Sequence, residues 1–159
     1  MNSYVIEWSG PYDDDEISDV DESKGLYLIT GFQKFKRTHA IQYCGITERN
    51  FKKRFNDVEH KKEFVTRERK YWLGKILSNT TVLRNDLELV EGLIIYFWQP
   101  ELNVLKKSTP PNPTVIINRW YDKDGNLRRR IMYEAQRLHD VIFWDGESWH
   151  LSDSLKVYQ

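Results

Sequence analysis

Two tyrosines, an arginine, a glutamate and an asparagine carry most of the chemistry that this sequence offers. Tyr27 lies in "GLYLITG" (25–31) and Tyr43 in "IQYCGIT" (41–47), each two residues from a glycine in an apolar stretch. Side chains alternate along a strand, so Gly25, Tyr27 and Ile29 share one face, and His39, Ile41, Tyr43 and Gly45 share another. Paired as a hairpin, the strands aim both phenols the same way, and the glycines leave room for a backbone or a ligand. Arg54 follows, then Glu91 inside an apolar run, then Asn103 after Pro100. A guanidinium fork suits phosphate oxygens. The charge distribution points the same way. The chain carries 24 Lys/Arg and 24 Asp/Glu, but the stretch Lys24 to Lys75 holds fourteen bases against five acids. Phosphate binding is driven by such a local surplus rather than by net charge. A solvated lysine-rich helix face gives the same count.

The elements that must position these groups follow from periodicity. Residues 25–32 and 39–46 read as two strands rich in β-formers, joined by the basic "GFQKFKRT". Thr47 caps a helix over 48–60, where Phe51, Phe55 and Val58 recur at the spacing of one buried face. A second helix is predicted over 65–77, with Trp72, Leu73, Ile76 and Leu77 apolar. The strongest helix covers 86–99, capped by Asn85 or Asp86 and stopped by Pro100. "KKSTPPNPT" (106–114) reads as a linker. Beyond it, alternating apolar runs around Asp124-Gly125 and Asp145-Gly146 predict two hairpins.

In this order the pieces resemble the GIY-YIG nuclease family. "GLY" (25–27) matches the first motif and "YCG" (43–45) the second. "KKRF" with Arg54, "ELVEGLII" with Glu91 and "QPELN" with Asn103 follow. The resemblance covers residues 25–103, about half of the chain's 159 residues. It implies an α+β fold, a small antiparallel sheet flanked by helices, here with a C-terminal β-hairpin extension. It also implies hydrolysis of DNA phosphodiesters with one divalent ion, Mg2+ or Mn2+, held by Glu91, with RNA left open as substrate. Arg54 would bind the scissile phosphate. Tyr27 and Tyr43 would line the water and phosphate, one of them as general base or its relay, and Asn103 would support the site. A free phenol has a pKa of about 10, so a base role needs positive charge nearby. Lys34, Lys36, Arg37, Lys52, Lys53 and Lys61 are candidate phosphate contacts.

The sequence departs from the family pattern in three places. Many nuclease members carry a histidine four residues after the arginine, where this chain has Val58. The nearest histidine is His60. At about 100° per residue it sits about 240° round from Arg54 and reaches the site only if the helix ends early. Cys44 takes the usual aliphatic centre of the second motif and reads as a small core residue. The strand expected before the Glu91 helix has only "TTVLR" (80–84) as a thin candidate.

The organisation expected is an N-terminal arm and acidic loop (1–23), a nuclease core (24–105), a Pro-rich linker (106–113) and a β-rich extension (114–159). Arg119 and Arg128–Arg130 in the extension could form a basic ribbon for a nucleic-acid groove. Trp120, Trp144, Trp149 and Tyr158 suit packing or a homodimer face. No apolar run reaches the roughly 18 residues of a membrane span. The single Cys44 allows neither an intrachain disulfide nor a zinc cluster. A reducing, cytoplasmic setting without membrane contact is expected. Two other functions fit the same residues: a nucleic-acid-binding module without catalysis, and a protein-interaction domain.

Overall fold

Strands dominate the described residues: 45% of them are strand and 19% are helix. That corrects the expected small antiparallel sheet flanked by helices. The computed structural model describes residues 1–57, 60–130, 132–134 and 136–152. Val58 and Tyr158, singled out above, lie outside the described residues.

The hairpin forms as its alternation predicts. Strand β2 (Ser23–Gln33) pairs antiparallel with β3 (Ala40–Asn50), setting Tyr27 opposite Gly45 and Ile29 opposite Tyr43. The register then shifts, and Thr30 faces Ile41. Gln42 is the extra residue of this bulge, so Ile41 turns to the opposite face from Tyr43 and packs with Leu26 and Cys44.

The predicted helix over 65–77 is instead strand β4 (Val65–Leu77), paired antiparallel with β2. Trp72 and Ile76 are buried in one layer of the core, Val65, Tyr71 and Leu73 in the other. A spacing of four residues joins Trp72 to Ile76 and suits a helix, but it is also two strand repeats. Burial on both faces hides the alternation that would have separated the two readings.

The N-terminal segment is an inner strand. β1 (Asn2–Tyr12) lies between β4 and β5 (Thr114–Tyr121), antiparallel to the first and parallel to the second. The acidic loop expected over 11–23 contains helix α1 (Asp14–Ile17), closed by an Asp13–Glu16 capping box. Short strands β6 (Met132–Tyr133) and β7 (Gln136–Arg137) form a separate pair. Strands β8 (Val141–Trp144) and β9 (Trp149–Ser152) form the second predicted hairpin. The large sheet has seven strands in the order β3-β2-β4-β1-β5-β8-β9, with β3 at one edge.

Helices cover both faces. α2 (Phe51–Phe55) is capped by Asn50 rather than Thr47 and stops far short of residue 60. It packs with α1 over Tyr27, Ile29, Tyr71 and Leu73. α3 (Arg84–Trp98) covers the other face with Leu87, Val90, Leu93, Ile94 and Ile95. It starts two residues before the predicted boundary. Asp86 reaches back to accept from the Leu83 N–H at 2.9 Å. "TTVLR" is not a strand; the segment before α3 is irregular and leads directly into it. No helix among the described residues is long and apolar enough to cross a membrane.

Trp120 and Trp144 are buried against the α3 layer, and Trp149 packs on it beside Tyr96 and Phe97. The Arg128 guanidinium lies over the Trp72 and Tyr133 rings, at 5.7 and 5.5 Å from their centroids. The tryptophans therefore serve packing within the chain.

Gly74 is what lets β1 approach β4. A Cβ there would fall 2.7 Å from the Trp8 ring, which is fully buried and tethered by Nε1–H donating to Asn118 Oδ1 at 2.8 Å. Gly74→Ala is expected to destabilise the fold by about 1–3 kcal/mol. Urea denaturation should show a lower midpoint at unchanged slope.

Candidate functional site

Tyr27 sits at the centre of β2 and is fully buried. Its ring lies where a Cβ on Gly45 would stand, 2.4 Å from Cζ and Oη, so any side chain at 45 would displace it. Phe51 and Phe55 of α2 meet the ring edge-on. This is why a tyrosine and a glycine face each other across the hairpin.

A buried phenol needs a hydrogen-bond partner. Tyr27 finds one in His60, Oη to Nε2 at 2.9 Å. The backbone N–H of Lys62 donates to His60 Nδ1 at 3.0 Å. Burial, then the nearby Arg54 and Lys62, lower the His60 pKa to about 4. The ring is therefore neutral near pH 7, and with Nδ1 accepting, Nε2 carries the hydrogen and donates to Tyr27. Tyr27 keeps its own proton to give. α2 ends at Phe55 with Asn56 as its C-cap, so the condition for His60 to reach the site is met.

Tyr43 is half-buried beside Tyr27, ring centroids 6.0 Å apart. Burial raises the pKa of both phenols. Arg54 opposes that rise at each, and the Tyr27 hydroxyl also favours the Tyr43 anion. Of the two, only Tyr43 lines the cleft.

That cleft, about 460 Å³, is lined by Tyr43, Arg54, Lys61, Glu91 and Asn103, together with Arg84, Glu88 and the loop 104–106. Arg54 projects from α2 and donates to Asp57 Oδ2 at 2.8 Å, an acid that also pairs with Arg49 at 2.6 Å. Glu91 stands on the cleft side of α3 with its side chain 14% exposed, and Oε2 accepts from Lys106 Nζ at 2.7 Å. Asn103 acts on the backbone: Oδ1 accepts from the Cys44 N–H and Nδ2 donates to the Cys44 carbonyl, each at 2.9 Å. Leu102 adds its N–H to the Gln42 carbonyl at 2.9 Å. The chain after α3 thus pairs with the edge of β3, which at Ile41 is met by the Gln136 side chain, the N–H donating to Oε1 at 2.6 Å. Cys44 is fully buried, and burial pushes its thiol well above the ordinary range, as suits a core residue.

The structure brings together Tyr27, Tyr43, His60, Arg54, Glu91, Asn103 and Lys61. The other predicted phosphate contacts lie elsewhere. Lys34, Lys36 and Arg37 sit on the β2–β3 loop around a separate cavity. Lys52 lines a third cavity with Asp14 and Tyr71, and Lys53 is exposed on α2. Lys106 was missed. It lies fifteen residues past Glu91 inside an apparent linker, and no local spacing marks it.

No cluster of three or more His, Cys, Asp or Glu suited to a metal occurs among the described residues. Mg2+ needs less from a protein, since it binds through one or two carboxylates with waters and substrate phosphate oxygens completing its shell. Glu91, with Glu88 on the same cleft wall, fits that requirement. The Lys106 ammonium on Glu91 Oε2 would have to give way to such an ion. Comparison of the chain with family models, with curated proteins and with solved structures finds no significant match.

His60 makes stability depend on pH. Its folded pKa of about 4 lies below the ordinary value of 6.5, so the unfolded chain binds more protons between those limits. The contribution is complete above pH 6.5 and is lost as pH falls towards 4. His60→Asn keeps an acceptor for the Lys62 N–H but does not titrate. Melting temperature against pH should fall less steeply for this variant in that window than for the wild type.

Proposed function

We propose that the cleft is a phosphodiesterase site of the GIY-YIG kind and that the chain is a DNA endonuclease dependent on Mg2+ or Mn2+. One observation carries the reading: Tyr43, Arg54, Lys61 and Glu91, scattered over 49 residues of sequence, line a single cleft. A phenol, two cations and a half-buried carboxylate are the groups that phosphodiester hydrolysis requires, and the resemblance of residues 25–103 to the family motifs supports the same assignment.

In this reading Arg54 and Lys61 hold the scissile phosphate, and Glu91, with Glu88 beside it, holds the divalent ion. Once bound, that ion supplies charge stabilisation at phosphorus and at the leaving oxygen. Tyr43 as its phenolate takes the proton of the attacking water, since it faces the cleft and Tyr27 does not. The new P–O bond forms at the water oxygen, the bond to the leaving oxygen breaks, and that oxygen takes a proton from solvent. Burial raises the Tyr43 pKa and Arg54 offsets only part of that rise, so the rest would have to come from the bound divalent ion. Tyr27 and His60 fix the neighbouring hydroxyl that supports it. Asn103 holds β3, and with it Tyr43, at the correct height. Cutting both strands of a duplex requires a homodimer or two successive nicks.

The Lys106–Glu91 pair favours a second reading, a nucleic-acid-binding cleft that does not cut, because an ammonium already neutralises the proposed metal ligand. Supercoiled plasmid with Mg2+ or Mn2+ separates the two. The nuclease reading expects conversion to open-circular and linear forms, abolished by EDTA and reduced by at least about 100-fold in Glu91→Gln. Salt-sensitive DNA binding with no cleavage would establish the second reading instead.

A further inference from the structure

The loop between β2 and β3 carries a residue that no burial among the described residues explains. Phe35 is 90% exposed, and its backbone lies in the left-handed region at φ 63°. An exposed aromatic alone is ordinary. A bulky residue held at positive φ is strained, and burial does nothing here to offset that strain.

Its surroundings are cationic. Lys34 places its ammonium 5.1 Å from the Phe35 ring centroid. Lys34, Lys36, Arg37 and Arg67 line, with Phe35 and Thr66, a cavity of about 480 Å³. Arg67 from β4 donates to the Lys36 carbonyl and stacks on Phe32 at 4.8 Å, which braces the loop against the sheet. Among the described residues, no acid lines this cavity. Lys36 also approaches Glu101 at 3.9 Å, on the segment that leads into Asn103 and the cleft wall. Ala40, where the loop rejoins β3, lies three residues before Tyr43 of the cleft wall, so the loop and the cleft follow one another along β3.

We propose that the β2–β3 loop is a nucleic-acid finger in which Phe35 stacks on an unpaired base while Lys34, Lys36, Arg37 and Arg67 hold the flanking phosphates. An aromatic face and several cations in one exposed loop match a polyanion whose bases are available for stacking. A perfect duplex offers the phosphates but no free base face. The substrate class is thus single-stranded, bubble-containing or branched DNA. This rests on the nuclease reading, and binding measured in EDTA tests it without cleavage.

Fluorescence anisotropy compares a labelled single strand, a duplex with a short bubble and an intact duplex of the same sequence. Phe35→Ala is expected to weaken binding to the first two by about tenfold and to leave the intact duplex unchanged. Phe35→Trp should restore wild-type affinity. Lys34→Ala with Lys36→Ala should weaken all three and flatten the dependence on salt. Unchanged single-strand affinity in Phe35→Ala overturns the proposal, and so does an equal loss on the intact duplex. Phe35-dependent binding to anionic phospholipid vesicles without nucleic-acid binding overturns it too. Binding as expected with no plasmid cleavage would remove the catalytic reading and leave the finger standing.

Discussion

The hydrogen bond between Tyr27 and His60 is the constraint around which this end of the molecule is organised. Tyr27 is fully buried, and a phenol in that position without a partner would forfeit its hydration for nothing. The partner comes from 33 residues away, at 2.9 Å. Meeting it requires α2 to stop at Phe55, so that the chain returns under the hairpin at His60. It also requires Gly45, because a side chain there would stand where the Tyr27 ring lies. The same two aromatic groups place Tyr43 beside them at the cleft.

A second device holds the edge. β3 is the outermost strand and would expose its backbone donors and acceptors. Asn103 satisfies both backbone groups of Cys44, and Leu102 satisfies Gln42, so the segment after α3 substitutes for a missing strand. That segment then carries Lys106 back to Glu91. Edge protection and cleft formation are therefore one piece of structure. Loosening Asn103 would disturb Tyr43 from one side and Glu91 from the other.

How much of this could be read from the chain depends on the range of each interaction. The β2–β3 hairpin, α3 and the β8–β9 hairpin rest on local alternation, helical spacing and turn residues, and they appear where those signals place them. In β4 the apolar residues four apart suit both periods, and its pairing with β1 and β2 decides for the strand. Ile41 changed face because one bulge residue, Gln42, has no signature in sequence. His60 and Asn103 were visible as candidates, but their roles were not. A histidine that donates to a buried phenol and an asparagine that clamps a backbone are set by tertiary geometry. Lys106 carried no signal, since its ion pair spans fifteen residues across a helix end.

The central claim is that Tyr43 acts at the cleft while Tyr27 and His60 support it from behind. Single-turnover cleavage by Tyr43→Phe and Tyr27→Phe, each confirmed to be folded, tests it most directly. The account predicts a loss of about 100- to 10,000-fold for Tyr43→Phe, a clearly smaller loss for Tyr27→Phe, and no further loss when His60→Asn is added to Tyr27→Phe. A Tyr43→Phe protein that cuts at the wild-type rate, beside an inactive Tyr27→Phe, would contradict it.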